Sequence, residues 1–156
     1  MANCLTKHIP NALTSCNLMS GCVAIVFALS ANYSMALTFI VVGAVFDFFD
    51  GMSARLLGVS SPIGKELDSL ADVVTFGVAP SMMIYTILLT VGETGYKDIL
   101  AAAAPYVAFV MAAFSAIRLA KFNLDERQTT SFIGLPTPAN ALFWGALIVG
   151  SEEYLA

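Results

Sequence analysis

The sequence predicts an all-α protein, a polytopic transmembrane helical bundle with a short N-terminal interfacial segment, and three observations predict it. Hydrophobic residues make up 58% of the 156 residues and charged residues only 12%, with a mean hydropathy of +0.82, far too apolar for a soluble domain of this size. The apolar residues gather into runs close to the ~20 residues a helix needs to cross a bilayer. Short polar stretches with turn chemistry separate those runs. The formal net charge of −4 says little about partners, because four of the eleven acids sit in one central cluster; no nucleic-acid partner is expected. Cys4, Cys16 and Cys22 have no metal-type spacing with the single His8 and read as small apolar residues.

Residues 1–11 are polar and end in Ile9, Pro10 and Asn11, an interfacial lead-in to a helix. A first span is predicted from Ala12 to Ala31, followed by a turn at Asn32, Tyr33 and Ser34. The second span, Met35 to Leu57, opens on a purely apolar run and then reaches Asp47, so its acidic half must lie toward one membrane face. Gly58 to Pro62 is a turn signal, and Pro62 can start a third helix whose first turns hold Gly64, Asp68 and Asp72. A polar loop at Val91 to Asp98 precedes a fourth span, Ile99 to Lys121. A second loop, Phe122 to Pro138, contains Asp125, Glu126, Arg127 and the rigid run GLPTP. The fifth span starts near Ala139 and reaches Glu152 and Glu153. Five spans are thus visible, in a single membrane domain over residues 1–156. Lys7, Arg55, Lys65, Arg118, Lys121 and Arg127 all fall on one side of this arrangement and only Lys97 on the other. The positive-inside rule puts that side, with the N-terminus and the acidic cluster, in the cytoplasm.

The stretch from Asp47 to Asp72 demands explanation, because carboxylates beside membrane-type sequence are costly unless compensated. At ~100° per residue, Asp47, Asp50 and Ala54 project from one side of a helix, with Gly51 nearby. Gly64, Asp68 and Asp72, four apart each time, form a second stripe. Two antiparallel helices joined at Gly58 to Pro62 would bring the acids together. Converging carboxylates repel, and the usual remedy is a hard divalent cation such as Mg²⁺, Mn²⁺ or Ca²⁺. A pair of such ions suits phosphoryl transfer by neutralising a diphosphate and stabilising the leaving group. Gly51 and Gly64 have no side chain to keep a ligand from the backbone. Arg55 supplies a planar donor for phosphate oxygens, and a carboxylate of suitable basicity can take the proton of an attacking hydroxyl.

Asp47, Asp50, Gly51, Ala54, Arg55, Gly64, Asp68 and Asp72, at their spacing over 26 residues, match all eight positions of a known signature. On it the chain resembles the CDP-alcohol phosphatidyltransferases. The resemblance implies that Asp47, Asp50, Asp68 and Asp72 hold two divalent ions, Mg²⁺ or Mn²⁺, and that Asp72 is also the general base. Gly51, Ala54 and Gly64 would border the CDP moiety, and Arg55 would contact its phosphates or organise the site. The segments IPNALTSCNLMSG, RLAKFN (Arg118 to Asn123) and FIGLPTP (Phe132 to Pro138) resemble the bacterial and archaeal branch of the family that uses serine. The implied substrates are CDP-diacylglycerol and L-serine, in an inner cell membrane among lipid, with the protein a homodimer. The family fold has six transmembrane helices, so the final helix is expected to be lacking here.

Other positions carry two readings. Arg118, Lys121 and Asn123 read either as recognition of the serine carboxylate or a phosphate, or as a positive-inside anchor. Asn11 and Thr14 can contact the nucleotide, yet both are ordinary helix-start residues. The run from Gly134 to Pro138 reads as a rigid turn that places the fifth helix. Two other functions stand beside the serine reaction: a sister transferase using glycerol 3-phosphate or inositol phosphate, and a divalent-cation transporter. Transport would need acids in the outer halves of the spans, which are almost wholly apolar.

Overall fold

A proline in the first turn of a helix gives up only an N–H that has no intrahelical acceptor, and two of the membrane helices begin this way, with Pro10 and Pro62. The structure, a computed structural model, describes residues 8–59, 61–93, 102–124 and 135–155. Helix α1 is Ile9–Leu29, α2 is Tyr33–Leu57, α3 is Pro62–Asp72 and α4 is Ala79–Glu93, with a π-helical segment, Val73–Val78, between the last two. A 3₁₀ turn, Ala104–Ala108, leads into α5, Phe109–Leu124, and α6 is Thr137–Leu155. Every element among the described residues is helical. Among the described residues, four stretches are long and apolar enough to cross a membrane: Ile9–Leu29, Tyr33–Leu57, Pro62–Thr90 and Ala104–Leu124. The all-helical polytopic bundle read from the sequence is therefore the observed architecture. The expected fifth span, α6, is a helix of 19 residues that is not among those four.

Local chemistry sets the turns. Asn32 caps α2, its Oδ1 accepting from the Met35 N–H at 3.1 Å. Gly58 ends α2 in the left-handed region at φ 60°, where the Val59 N–H reaches back to the Ala54 carbonyl at 3.0 Å. The Ser61 hydroxyl then accepts from the Gly64 N–H at 3.0 Å and opens α3. The chain thus reverses within a few residues and lays α3 back along the acidic end of α2.

α1 packs most extensively against α2, through a face of small and polar residues: Thr14, Asn17, Ser20, Gly21, Ala24 and Ala28 are all buried. Small side chains let membrane helices approach closely. The apolar core, built on Ala24, Ala28, Ile40, Phe76 and Met83, occupies the end away from the acids. The topology then places the start of α1, the end of α2, all of α3, the end of α5 and the start of α6 around one end of the bundle, where the polar residues collect.

Two boundaries differ from the sequence reading. The expected loop at Phe122 to Pro138 is shorter at both ends, because α5 runs on through Asn123 to Leu124 and α6 begins at Thr137. Asn123 is held in the helix by bonds to α3, described below, and the Pro136 carbonyl accepts the Asn140 N–H at 3.0 Å to start α6. The π segment was also not expected. There the Ala79 N–H bonds Val74 O, one residue further back than in an α-helix. Lys7, Lys97, Asp125, Glu126, Arg127 and Gly134 lie outside the described residues.

Candidate active site

The helical stripes converge as their spacing implied. Asp47, Asp50 and Asp68 each present a carboxylate oxygen within 4.8 Å of the other two. Asp72, one turn further along α3, is not part of that trio but lies in electrostatic reach of all three. Asp50 and Asp72 are buried, at 5% and 8% exposure, while Asp47 and Asp68 are half-buried. Three carboxylates this close, without cations among them, repel strongly at low dielectric. Asp68 Oδ1 is moreover buried with no hydrogen-bond partner. A hard divalent cation fits this donor set, since it supplies what the trio and the orphaned oxygen lack.

Residues of α1 hold two of the acids from behind. The Thr14 hydroxyl lies 2.6 Å from Asp50 Oδ2 and 3.0 Å from the Pro10 carbonyl. The Asn17 amide donates to Asp72 Oδ1 at 3.1 Å, and the Asn17 backbone carbonyl accepts from the Thr75 hydroxyl at 3.0 Å. The sequence reading missed Asn17 and Thr75. A signal was available: Pro10, Thr14, Asn17 and Gly21 repeat at helical spacing on one face, and a buried Asn inside a membrane span needs a partner.

The acids form a wall between two cavities. One, of about 450 Å³, is lined by Asn11, Thr14, Gly51, Ala54, Arg55 and Gly64, together with Asp50, Lys65 and Asp68. Every residue expected to border CDP thus lines one space. A Cβ on Gly51 would meet only Arg55 Nη2, at 3.7 Å, so nothing in the protein's own packing requires glycine there. Gly64 is different: a Cβ would come within 2.9 Å of Ser61 Oγ and 3.0 Å of Asn11 Oδ1, so this glycine lets those side chains close over α3. Arg55 is exposed, and its Nε donates to the Gly51 carbonyl at 3.0 Å, which lays the guanidinium along α2 at the cavity edge.

The other cavity, of about 680 Å³, is lined by Asp47, Asp68 and Asp72 of α2 and α3, by Arg118, Lys121 and Asn123 of α5, and by Leu135, Pro136 and Thr137 where α6 begins. All three residues assigned to the second substrate face this space. Asn123 also has a structural task, because its side-chain amide donates to Ser69 Oγ at 2.8 Å and its carbonyl accepts from Lys65 Nζ at 3.0 Å. Lys65 and Asp68 line both cavities. The sequence reading gave Lys65 no role beyond orientation.

An all-helical bundle with four membrane-length apolar helices, whose polar end holds a partly buried carboxylate cluster beside two pockets, defines a class: an integral membrane protein with an acidic site. Residues 7–151 match the profile of the CDP-alcohol phosphatidyltransferase family, and the chain belongs to that family. It is 40% identical over 136 residues to the CDP-diacylglycerol–serine O-phosphatidyltransferase of Bacillus subtilis, covering 85% of this chain and 70% of that protein. Proteins of the same name from Helicobacter pylori and Methanocaldococcus jannaschii are 40% identical over 147 residues and 36% identical over 142 residues. These alignments cover 93% and 91% of this chain, which spans 59% of the length of each of those two relatives. No solved structure matches the chain.

Proposed function

We propose that this chain transfers the phosphatidyl group of CDP-diacylglycerol to the hydroxyl of L-serine, giving phosphatidylserine and CMP. The observation that carries the reading is the acidic wall itself, with the signature residues for CDP in one cavity and cationic side chains in the other. The names of the relatives support serine as the acceptor. Asp47, Asp50, Asp68 and Asp72 would hold Mg²⁺ or Mn²⁺, two ions on this reading, which when bound neutralise the diphosphate and stabilise departing CMP.

Asn11, Thr14, Gly51, Ala54 and Gly64 border the nucleotide, and Arg55 donates to its phosphate oxygens. Arg118 and Lys121 draw the serine carboxylate into the larger cavity, and Asn123 closes its edge. Asp72 takes the proton from the serine hydroxyl as that oxygen attacks the β-phosphorus. The new P–O bond forms as the bond from the β-phosphorus to the bridging oxygen breaks, and CMP leaves with that oxygen. The acyl chains stay in lipid while serine and CMP exchange with water at the cytoplasmic face, the side to which the basic residues assign this end of the bundle.

The test is CMP release by the purified protein given CDP-diacylglycerol, Mn²⁺ or Mg²⁺ and L-serine. Release should depend on serine and on the metal, and Asp72→Asn should lower it by about 10²–10⁴-fold, the scale of a lost general base. Preference for glycerol 3-phosphate or inositol phosphate would replace serine as the acceptor. Metal flux through proteoliposomes without CMP formation would replace the enzyme with a transporter.

A further inference from the structure

Asn17 is a fully enclosed polar side chain at the site, and it belongs to none of the signature positions. It is 0% exposed within α1, and burying an amide without a full set of partners costs free energy. Its Nδ2 donates to Asp72 Oδ1 at 3.1 Å, while its Oδ1 is buried with no hydrogen-bond partner. What the asparagine supplies is the bond to Asp72.

The surroundings fix the direction of that bond. A Cβ on Gly43 of α2 would approach Asn17 Oδ1 to 2.9 Å and Thr75 Cγ2 to 2.5 Å, so the amide fits a notch that exists only because Gly43 lacks a side chain. Thr75, also 0% exposed, donates its hydroxyl to the Asn17 carbonyl at 3.0 Å from within the π segment that directly follows Asp72. Asn17 is therefore tied to Asp72 through its side chain and to the next turn through its backbone. A carboxylate otherwise turns broadly about its last torsion, whereas proton transfer needs an oxygen within ~2.6–3.2 Å of the hydroxyl.

The geometry points to Asn17 as the positioning residue for Asp72, holding Oδ1 of that carboxylate and so fixing the orientation of its plane beside the larger cavity that Asp72 lines. The inference rests on the proposed role of Asp72 as the base. Asn17 touches no substrate and acts only through the acid.

The test compares Asn17→Leu, which keeps the approximate shape and removes the donor, with wild type and with Asp72→Asn, each as the purified full chain. Asn17→Leu is expected to lower kcat about 10–100-fold, the scale of losing an outer hydrogen bond to an active-site ligand. KM for CDP-diacylglycerol is expected to stay within about threefold, so that the loss falls on kcat. In the Asp72→Asn background the same change should cost nothing further, because residues acting as a unit are not additive. Thr75→Val, which removes only the backbone tie, should shift kcat in the same direction by less and keeps the inference testable should Asn17→Leu fail to fold. An unchanged kcat in Asn17→Leu, or an equal loss with and without Asp72, overturns the positioning role. Asp72→Asn with near-normal turnover overturns instead the proposed chemistry on which it rests.

Discussion

Gly51→Ala separates folding from ligand binding at a single methyl group. Gly51 lies inside α2, and a Cβ there would meet only Arg55 Nη2, at the ordinary contact distance of 3.7 Å. Replacing glycine by alanine inside a helix should raise stability by about 0.5–1 kcal/mol, because the unfolded chain loses freedom and nothing in the folded chain is displaced. The same methyl adds to the lining of the smaller cavity, to which Gly51 belongs. If the CDP moiety rests against this backbone, the added methyl overpacks the complex by about 1–3 kcal/mol, or about 5–150-fold in affinity. The two effects have opposite signs. A thermal-shift measurement in detergent should therefore show a melting temperature equal to or above wild type, while titration with CDP shows weaker binding. CDP affinity within twofold of wild type in a folded Gly51→Ala would refute the placement of the nucleotide. Gly64→Ala is the internal contrast: its Cβ would crowd Ser61 Oγ and Asn11 Oδ1, so both stability and binding should fall.

Other outcomes follow from the acids. Asp68→Asn removes one of three mutually repelling carboxylates and makes the orphaned Oδ1 position an amide. In chelator its melting temperature should rise, by about 2–4 °C for each kcal/mol of repulsion relieved, whereas the stabilisation wild type gains from Mn²⁺ should largely disappear. Equal stabilisation of both proteins by Mn²⁺ would remove Asp68 from the ligand set. Thr14→Val deletes the hydroxyl 2.6 Å from Asp50 Oδ2 while keeping its shape. Mn²⁺ affinity should fall about 10–100-fold with the fold intact, read by titration and circular dichroism.

What the sequence showed and what it concealed divide along the range of the interactions. The acidic stripes were legible because helical periodicity is local, and α3 needed only Gly58, Ser61 and Pro62 to turn back along α2. The helical stripe of α1 marked Asn17, but its partner was not legible, since the bond to Asp72 joins positions 55 apart and depends on how α1 lies across α3. The π segment has the same origin. Its Thr75 bonds into α1, and its Gly77 would bring a Cβ within 3.3 Å of Ser115 Cβ on α5, contacts that no window of sequence contains. The end of α5 ran past its expected limit because Asn123 and Lys65 join it to α3, again a long-range pairing.

The arrangement of charge bears on how the two substrates would share the site. Arg55 and Lys65 line the smaller cavity, and Lys65, Arg118 and Lys121 the larger, while the four carboxylates form or back the wall between them. An anion entering either cavity therefore meets both cationic and acidic side chains. On the proposed reading, the exposed Arg55 and Lys65 do not offset the neighbouring carboxylates, so a diphosphate can approach them only when the acids are neutralised. On the proposed reading, metal and nucleotide must then strengthen each other's binding by the same factor, because coupling between two ligands is reciprocal. On the same reading, a serine carboxylate held by Arg118 and Lys121 would rest on side chains of α5 and need the metal less. Mn²⁺ withdrawal should accordingly weaken CDP far more than it weakens the acceptor, and equal losses for both would place the acceptor's carboxylate at the acidic wall instead.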